Sequence, residues 1–168
     1  MPSFFTSLVL PFAFAFFIHD SEEIVFQHKW VLKNKEIIAN RFPFLQKPLF
    51  HLEKMNTAAF AIAATEELFA LITIALLVSA GLPIFIWNAI SLAFSFHLVI
   101  HVAQGAILRR YVPGLVTSLV LLPYAYYISK TIFNAMSTHA FFLCGATGII
   151  AMMVNLLFAH WLGQKLAR

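Results

Sequence analysis

The sequence has few charged residues and a single cysteine, and both shortages limit what kind of protein it can be. Charged residues make up 11% of the 168 positions, whereas 61% are hydrophobic. Soluble domains carry about 25% charged and about 45–50% apolar residues. Because Cys144 is the only cysteine, an intramolecular disulfide and a cysteine-based metal site are both excluded. We see no internal repeat and no low-complexity tail. The composition therefore indicates an integral membrane protein.

Apolar runs that are long enough to cross a hydrocarbon core of about 30 Å recur along the chain. They predict an all-α fold, a single transmembrane domain over residues 1–168 built as a bundle of about five transmembrane helices. The predicted spans cover residues 4–26, 57–80, 84–108, 113–129 and 140–162. The first is the weakest, because residues 4–18 alone give only about 22 Å of helix. Asn56 is expected to cap the second span, and Pro113 is expected at the start of the fourth.

Basic residues are concentrated in three polar stretches. Ten of the eleven Lys and Arg residues lie in residues 27–56, at Arg109 and Arg110, and at the C-terminal end. The positive-inside rule places all three on the cytoplasmic side, which gives an N-out, C-in topology. Segment 27–56 is expected to lie at the interface in short pieces, since prolines interrupt it. Orientation explains the basic residues, so no nucleic-acid partner is expected. The lipid bilayer, and a bacterial inner membrane in particular, is the expected location.

Acidic residues show the opposite distribution. Five of the seven lie in or against apolar segments, namely Asp20, Glu22, Glu23, Glu66 and Glu67. A carboxylate near the bilayer centre costs about 2.5–3.5 kcal/mol on insertion scales. No Lys or Arg is expected at that depth. These carboxyl groups therefore need either a bound cation or protonation.

The first candidate cluster lies in the first segment. His19, Glu22 and Glu23 have i, i+3, i+4 spacing, which places them on one face of a helix, as in helix-borne metal sites. Asp20 points elsewhere. A second interpretation is a capping box, in which Asp20 begins a new helix and Glu23 occupies its third position.

Further candidate ligands come from other segments at a similar depth. Glu66 and Glu67 are adjacent, so only one of them is expected to face a site, and His97 and His101 have i, i+4 spacing. Asn155 and His160 of the last span are candidates for the surrounding shell. A divalent metal, one or two ions of zinc, iron or manganese, would suit these mixed donors. The predicted ligands are His19, Glu22, Glu23, Glu66, Glu67, His97 and His101. The alternative is a protonated Glu/His relay.

Two short motifs carry a family resemblance. Residues 19–23 read HxxEE and residues 111–114 read YxPG, with histidines between them. In this order the chain resembles the HxxEE-domain family of membrane proteins, whose function is unassigned. The resemblance implies that the cluster in residues 19–23 is more than a helix cap. Residues 111–114 are expected to shape the turn into the fourth helix, with Tyr111 as a hydrogen-bond donor to the polar layer.

Three functions remain open at this stage. The first is a metal-dependent membrane enzyme, a hydrolase or oxidase acting on a lipid-like substrate, with Glu23, Glu67 and His97 as catalytic candidates. Without a metal the same groups would serve a proton-transferring isomerase. The second is a transporter of metal ions or protons, for which a homodimer would supply the second half. The third is a non-catalytic assembly or lipid-binding subunit, whose polar groups only join helices.

Overall fold

The computed structural model describes residues 8–167, which fold into six α-helices and no β-strand. The helices are α1 (Leu10–Arg41), α2 (Gln46–Glu53), α3 (Thr57–Ser79), α4 (Ile84–Leu108), α5 (Leu115–Asn134) and α6 (Thr138–Leu166), with a 3-10 turn at Pro43–Leu45. Helices α3 to α6 are each long and apolar enough to cross a membrane. The predicted all-α fold is therefore confirmed, with four candidate membrane-spanning helices in the described part of the chain.

Local sequence signals set most of the helix boundaries. The side chain of Asn56 accepts a hydrogen bond of 2.8 Å from the backbone N–H of Ala59, so the predicted cap of α3 is confirmed. Gly81 has a φ of 115° and separates α3 from α4. Helix α5 does not begin at Pro113 as predicted but two residues later, at Leu115, because Gly114 has a φ of 81°. It also runs past residue 129, to Asn134.

Helix α1 differs most from the expectation. It does not give way to short interfacial pieces after residue 26 but continues unbroken to Arg41. Its 32 residues correspond to about 48 Å of helix. Residues 4–7 of the predicted first span lie outside the described residues. The fifth span and the N-out, C-in orientation therefore stay predictions.

Close helix contacts place α6 against both α3 and α4. A β carbon on Gly148 would lie 2.0 Å from the carbonyl oxygen of Ala89, and one on Gly163 would lie 2.2 Å from that of Ala59. Only glycine allows backbones to approach this closely, as in other membrane helix pairs. A β carbon on Gly145 of the same helix would meet no neighbour nearer than 3.9 Å. Helix α6 thus bridges α3 and α4, which leave a space between them.

The basic stretches meet at one end of the bundle. Lys35 of α1 pairs with Glu53 of α2. The indole N–H of Trp30 donates to the carbonyl oxygen of Tyr111 at 2.7 Å, and Arg110 donates to the side chain of Asn34 at 2.9 Å. Helix α1 therefore holds both α2 and the loop between α4 and α5. We call this the basic end.

Aromatic side chains close the opposite half of the interior. The ring of Phe12 lies edge-on to Trp87 and Phe94, with centroids 5.2 Å and 5.1 Å apart. All three side chains are buried. This packing separates the polar layer from the end of the bundle that carries Gly81.

Candidate metal centre

The HxxEE residues lie in the middle of an unbroken helix. Helix α1 runs from Leu10 to Arg41, so no helix begins at Asp20, and the capping-box interpretation of this segment is wrong. His19 and Glu23 are one turn apart and both are buried. Two donors at this spacing on a straight helix converge on one point.

Helix α4 brings two histidines to the same point. His19, Glu23, His97 and His101 each offer one ligand atom, and these four atoms all lie within 4.8 Å of one another. His101 Nε2 lies 3.0 Å from His97 Nε2 and 3.2 Å from Glu23 Oε1. We call these four residues the His/Glu cluster. Three imidazoles and one carboxylate are a donor set that suits zinc or iron.

Thr117 of α5 fixes which nitrogen of His19 faces the cluster. The Thr117 hydroxyl donates to Glu22 Oε2 at 2.6 Å, so its oxygen is left to accept the Nδ1–H of His19 at 3.0 Å. This leaves a lone pair on His19 Nε2, which is buried and bonds to no described residue. Metal-binding histidines have the same arrangement, with the outer ring nitrogen donating to a fixed acceptor.

Glu22 lies outside the cluster although it was predicted as a ligand. Its carboxylate accepts the N–H groups of Val116 and Thr117 at 3.3 Å and 2.8 Å, and the hydroxyl of Tyr111 at 2.8 Å. These N–H groups belong to the first turn of α5, which has no helical partner for them. The carboxylate therefore caps α5 from a neighbouring helix, where the helix dipole also favours negative charge.

The YxPG residues connect this cap to the cluster. Burial, followed by the hydrogen bond to Glu22, raises the pKa of Tyr111, so its phenol remains a donor, as the sequence suggested. A β carbon on Gly114 would lie 2.9 Å from His101 Nδ1 and 2.9 Å from His19 Cε1. Gly114 is thus needed both for its positive φ and for the space that two imidazoles occupy.

The remaining predicted residues lie apart from the four converging atoms. Glu66 Oε2 accepts a 3.2 Å hydrogen bond from Asn155 of α6. His160 Nδ1 lies 3.1 Å from Nε2 of His51, a histidine of α2. Glu67 faces a cavity next to the cluster. The structure therefore does not bring Glu66 or Glu67 into the His/Glu cluster.

The cavity has a volume of about 270 Å³ and lies between α1, α3, α4 and α6. Its walls are mostly apolar, with aromatic rings from α1, α3 and α4. Glu23 and His97 line it, so the cluster borders it directly. Asp20 lines the cavity as well, although its side chain was predicted to point away from the other residues of the motif. The i, i+3 spacing of Asp20 and Glu23 was the signal for this shared face.

Comparison with known proteins gives one family. A family profile described as "Protein of unknown function with HXXEE motif" matches residues 9–128. That range includes the whole His/Glu cluster and the YxPG residues. No curated protein and no solved structure matches the chain.

Proposed function

This chain belongs to the HXXEE-motif family, whose function is unknown, and we propose that it is a metal-dependent membrane enzyme acting on an apolar substrate. The observation that carries the proposal is the position of the His/Glu cluster, buried in the bundle and open to an apolar cavity. The expected location is a bacterial inner membrane, with five spans and the basic end in the cytoplasm.

His19 supplies the main support for a bound metal. Distances of 3.0 Å and 3.2 Å among the other cluster atoms fit direct hydrogen bonds. They also match the distance between two ligand atoms of a tetrahedral zinc site, which is about 3.3 Å when the metal–ligand bonds are about 2.0 Å. Hydrogen bonding leaves His19 Nε2 without a partner, whereas a metal ion would use its lone pair. A buried polar atom without a partner is costly, which favours the metal.

The surroundings of the cluster suit chemistry on a hydrophobic molecule. A metal held there would supply a Lewis acid, or a bound hydroxide at neutral pH, or redox chemistry if it is iron. Glu23 and His97 separate the metal position from the cavity and would contact the substrate. Glu67 lines the cavity from α3 and would also contact the substrate. The apolar walls would exclude water, which strengthens electrostatic interactions inside the site.

Elemental analysis of the purified protein in detergent tests the proposal. We expect near-stoichiometric zinc or iron in the native protein and little metal in a Glu23→Ala, His97→Ala double variant. Glu66→Gln is the matched control, because Glu66 lies outside the cluster and should leave the metal in place. Zinc would direct assays toward hydrolysis, and iron toward oxidation. A native protein purified without chelator that carries no metal, and takes up none when zinc or iron is added, would overturn the proposal.

A transporter is the second candidate, and one contact favours it. The cavity extends from Glu23 and His97 to His160, which pairs with His51 at the basic end. Such a series of polar groups would carry protons or a cation from the midplane to one face. Proteoliposomes loaded with a pH dye or a zinc dye would reveal the flux. A transporter predicts flux that a His160→Ala variant lacks, and the absence of flux in the native protein excludes it.

A further inference from the structure

Asp20 is a buried carboxylic acid that the metal centre does not use. The residue is 8% exposed and lines the cavity, yet its side chain makes no hydrogen bond or ion pair with any described residue. It is not one of the four residues whose ligand atoms converge. A buried polar group without a partner is rare and indicates a missing ligand.

A second carboxyl group faces the same space from another helix. Glu67 of α3 lines the cavity and interacts electrostatically with Asp20 of α1. Glu23 adds a third acidic group on the cavity wall, whereas no Lys or Arg among the described residues lines it. Glu23 belongs to the His/Glu cluster, so the cavity combines an apolar wall with two acidic groups, Asp20 and Glu67, that no Lys or Arg compensates. Charge complementarity favours a positively charged occupant.

The arrangement fits an organic cation better than a second metal ion. The ligand atoms of Asp20 and Glu67 do not converge with a third donor as those of the His/Glu cluster do. An ammonium group needs only separate acceptors around it, since it has several N–H donors. The rest of the cavity wall, including Phe12, Phe16 and Phe60, would cover a hydrocarbon body.

We propose that the cavity binds an apolar amine, with its ammonium group held between Asp20 and Glu67 and its hydrocarbon part against the aromatic wall. This deepens the proposed function and rests on it, because the cavity is then the substrate site of the metal centre. The volume of about 270 Å³ corresponds to about nine water molecules. It is near the lower end for ligand pockets, so it would admit a short chain or one end of a longer lipid.

Three eight-carbon probes with different polar groups provide the test. Octylamine, octanol and octanoate are titrated against the full protein in lipid nanodiscs, with empty nanodiscs subtracted. We expect saturable binding of octylamine, at least about tenfold weaker binding of octanol, and no saturable binding of octanoate. Asp20→Asn and Glu67→Gln should each weaken octylamine binding about tenfold or more, whereas Glu66→Gln should not change it. Glu66 is the adjacent control because it does not line the cavity and its carboxylate already accepts a hydrogen bond from Asn155.

Two outcomes would overturn the proposal. Equal binding of octylamine and octanol, unaffected by Asp20→Asn, would mean that the cavity recognises only the hydrocarbon. The absence of saturable octylamine binding to a native protein that is folded and metal-loaded would exclude an amine site. Metal content is measured in the same samples and should be unchanged in Asp20→Asn. Absence of metal from the native protein would therefore contradict the metal centre. Absence of octylamine binding to the metal-loaded protein would contradict only the amine site.

Discussion

Gly114 and His101 are in contact across the turn between α4 and α5, with so little space that a single β carbon on Gly114 would lie 2.9 Å from His101 Nδ1. His101 lies in α4 and Gly114 ends the YxPG motif, so only the folded structure brings them into contact. Gly114 also touches His19, so one glycine sets the packing of two of the four residues in the His/Glu cluster.

Replacing Gly114 with alanine should damage the metal centre. The added methyl group would meet both imidazoles. The backbone φ of 81° at residue 114 also costs about 1–2 kcal/mol for a residue with a side chain. We expect a lower unfolding temperature and reduced metal content. The control is Gly145→Ala, where the new carbon meets nothing nearer than 3.9 Å, so the metal content should stay the same and the unfolding temperature should not fall. Full metal content in Gly114→Ala would contradict this account.

Thr117→Val should weaken metal binding without removing any ligand. The valine has no oxygen to accept the Nδ1–H of His19, so the imidazole loses the contact that aims Nε2 at the cluster. Loss of such a partner typically costs about 10–100-fold in metal affinity. Competition with a chelator of known affinity measures the change. Thr117→Ser retains the hydroxyl and should bind metal like the native protein; equal affinity in both variants would rule out an orienting role.

Glu22→Gln and Glu23→Gln should have different effects although the residues are adjacent. Glu22 caps α5, so its neutralisation should lower the unfolding free energy by about 1–2 kcal/mol and leave the metal stoichiometry intact. Glu23 lies in the cluster, so Glu23→Gln should lower the metal affinity. Metal analysis and thermal unfolding of both variants separate the two roles. Metal loss in Glu22→Gln alone would reverse the assignment.

Removing the metal should lower the thermal stability of the native protein. A ligand present at 1,000 times its dissociation constant stabilises the folded state by about 4.1 kcal/mol. We therefore expect a chelator to lower the unfolding temperature and added zinc or iron to restore it. The Glu23→Ala, His97→Ala variant should respond to neither. An equal chelator effect in that variant would show that the stabilising ion binds elsewhere.

Cysteine labelling in intact cells checks the predicted orientation. In a Cys144→Ser background, Leu82→Cys in the α3–α4 turn should react with an impermeant thiol reagent added outside. Lys47→Cys, at the basic end, should react only after the membrane is opened. The opposite pattern would invert the N-out, C-in topology.

The sequence predicted those site residues whose relationship lies within one helix. The spacing of His19 with Glu23, and of His97 with His101, follows from the geometry of a helix, and both pairs enter the cluster. The same geometry could not decide which of Glu22 and Glu23 belongs to the His/Glu cluster. That choice depends on the unpaired N–H groups at the start of α5, which the distance along the chain does not reveal.

Residues that act between helices were missed for the same reason. Nothing in the sequence distinguished Thr117 from the other hydroxyl residues, and Gly114 was expected only to shape the turn into the fourth helix. Its contact with two histidines depends on how the α4–α5 turn folds back over α1. The length of α1 was also missed, because residues 27–41 are too polar for a span but remain good helix formers.

The continuity of α1 has a consequence for how the metal would enter and leave. The α4–α5 loop, which covers the cluster through Gly114, is attached to α1 by hydrogen bonds to Glu22, Trp30 and Asn34 over about three turns of one helix. All three residues lie on one continuous helix, so uncovering the cluster requires several of these hydrogen bonds to break or α1 to move away from the loop. Metal would therefore exchange slowly with the surroundings, so that both its removal by a chelator and its return to the folded protein would be slow.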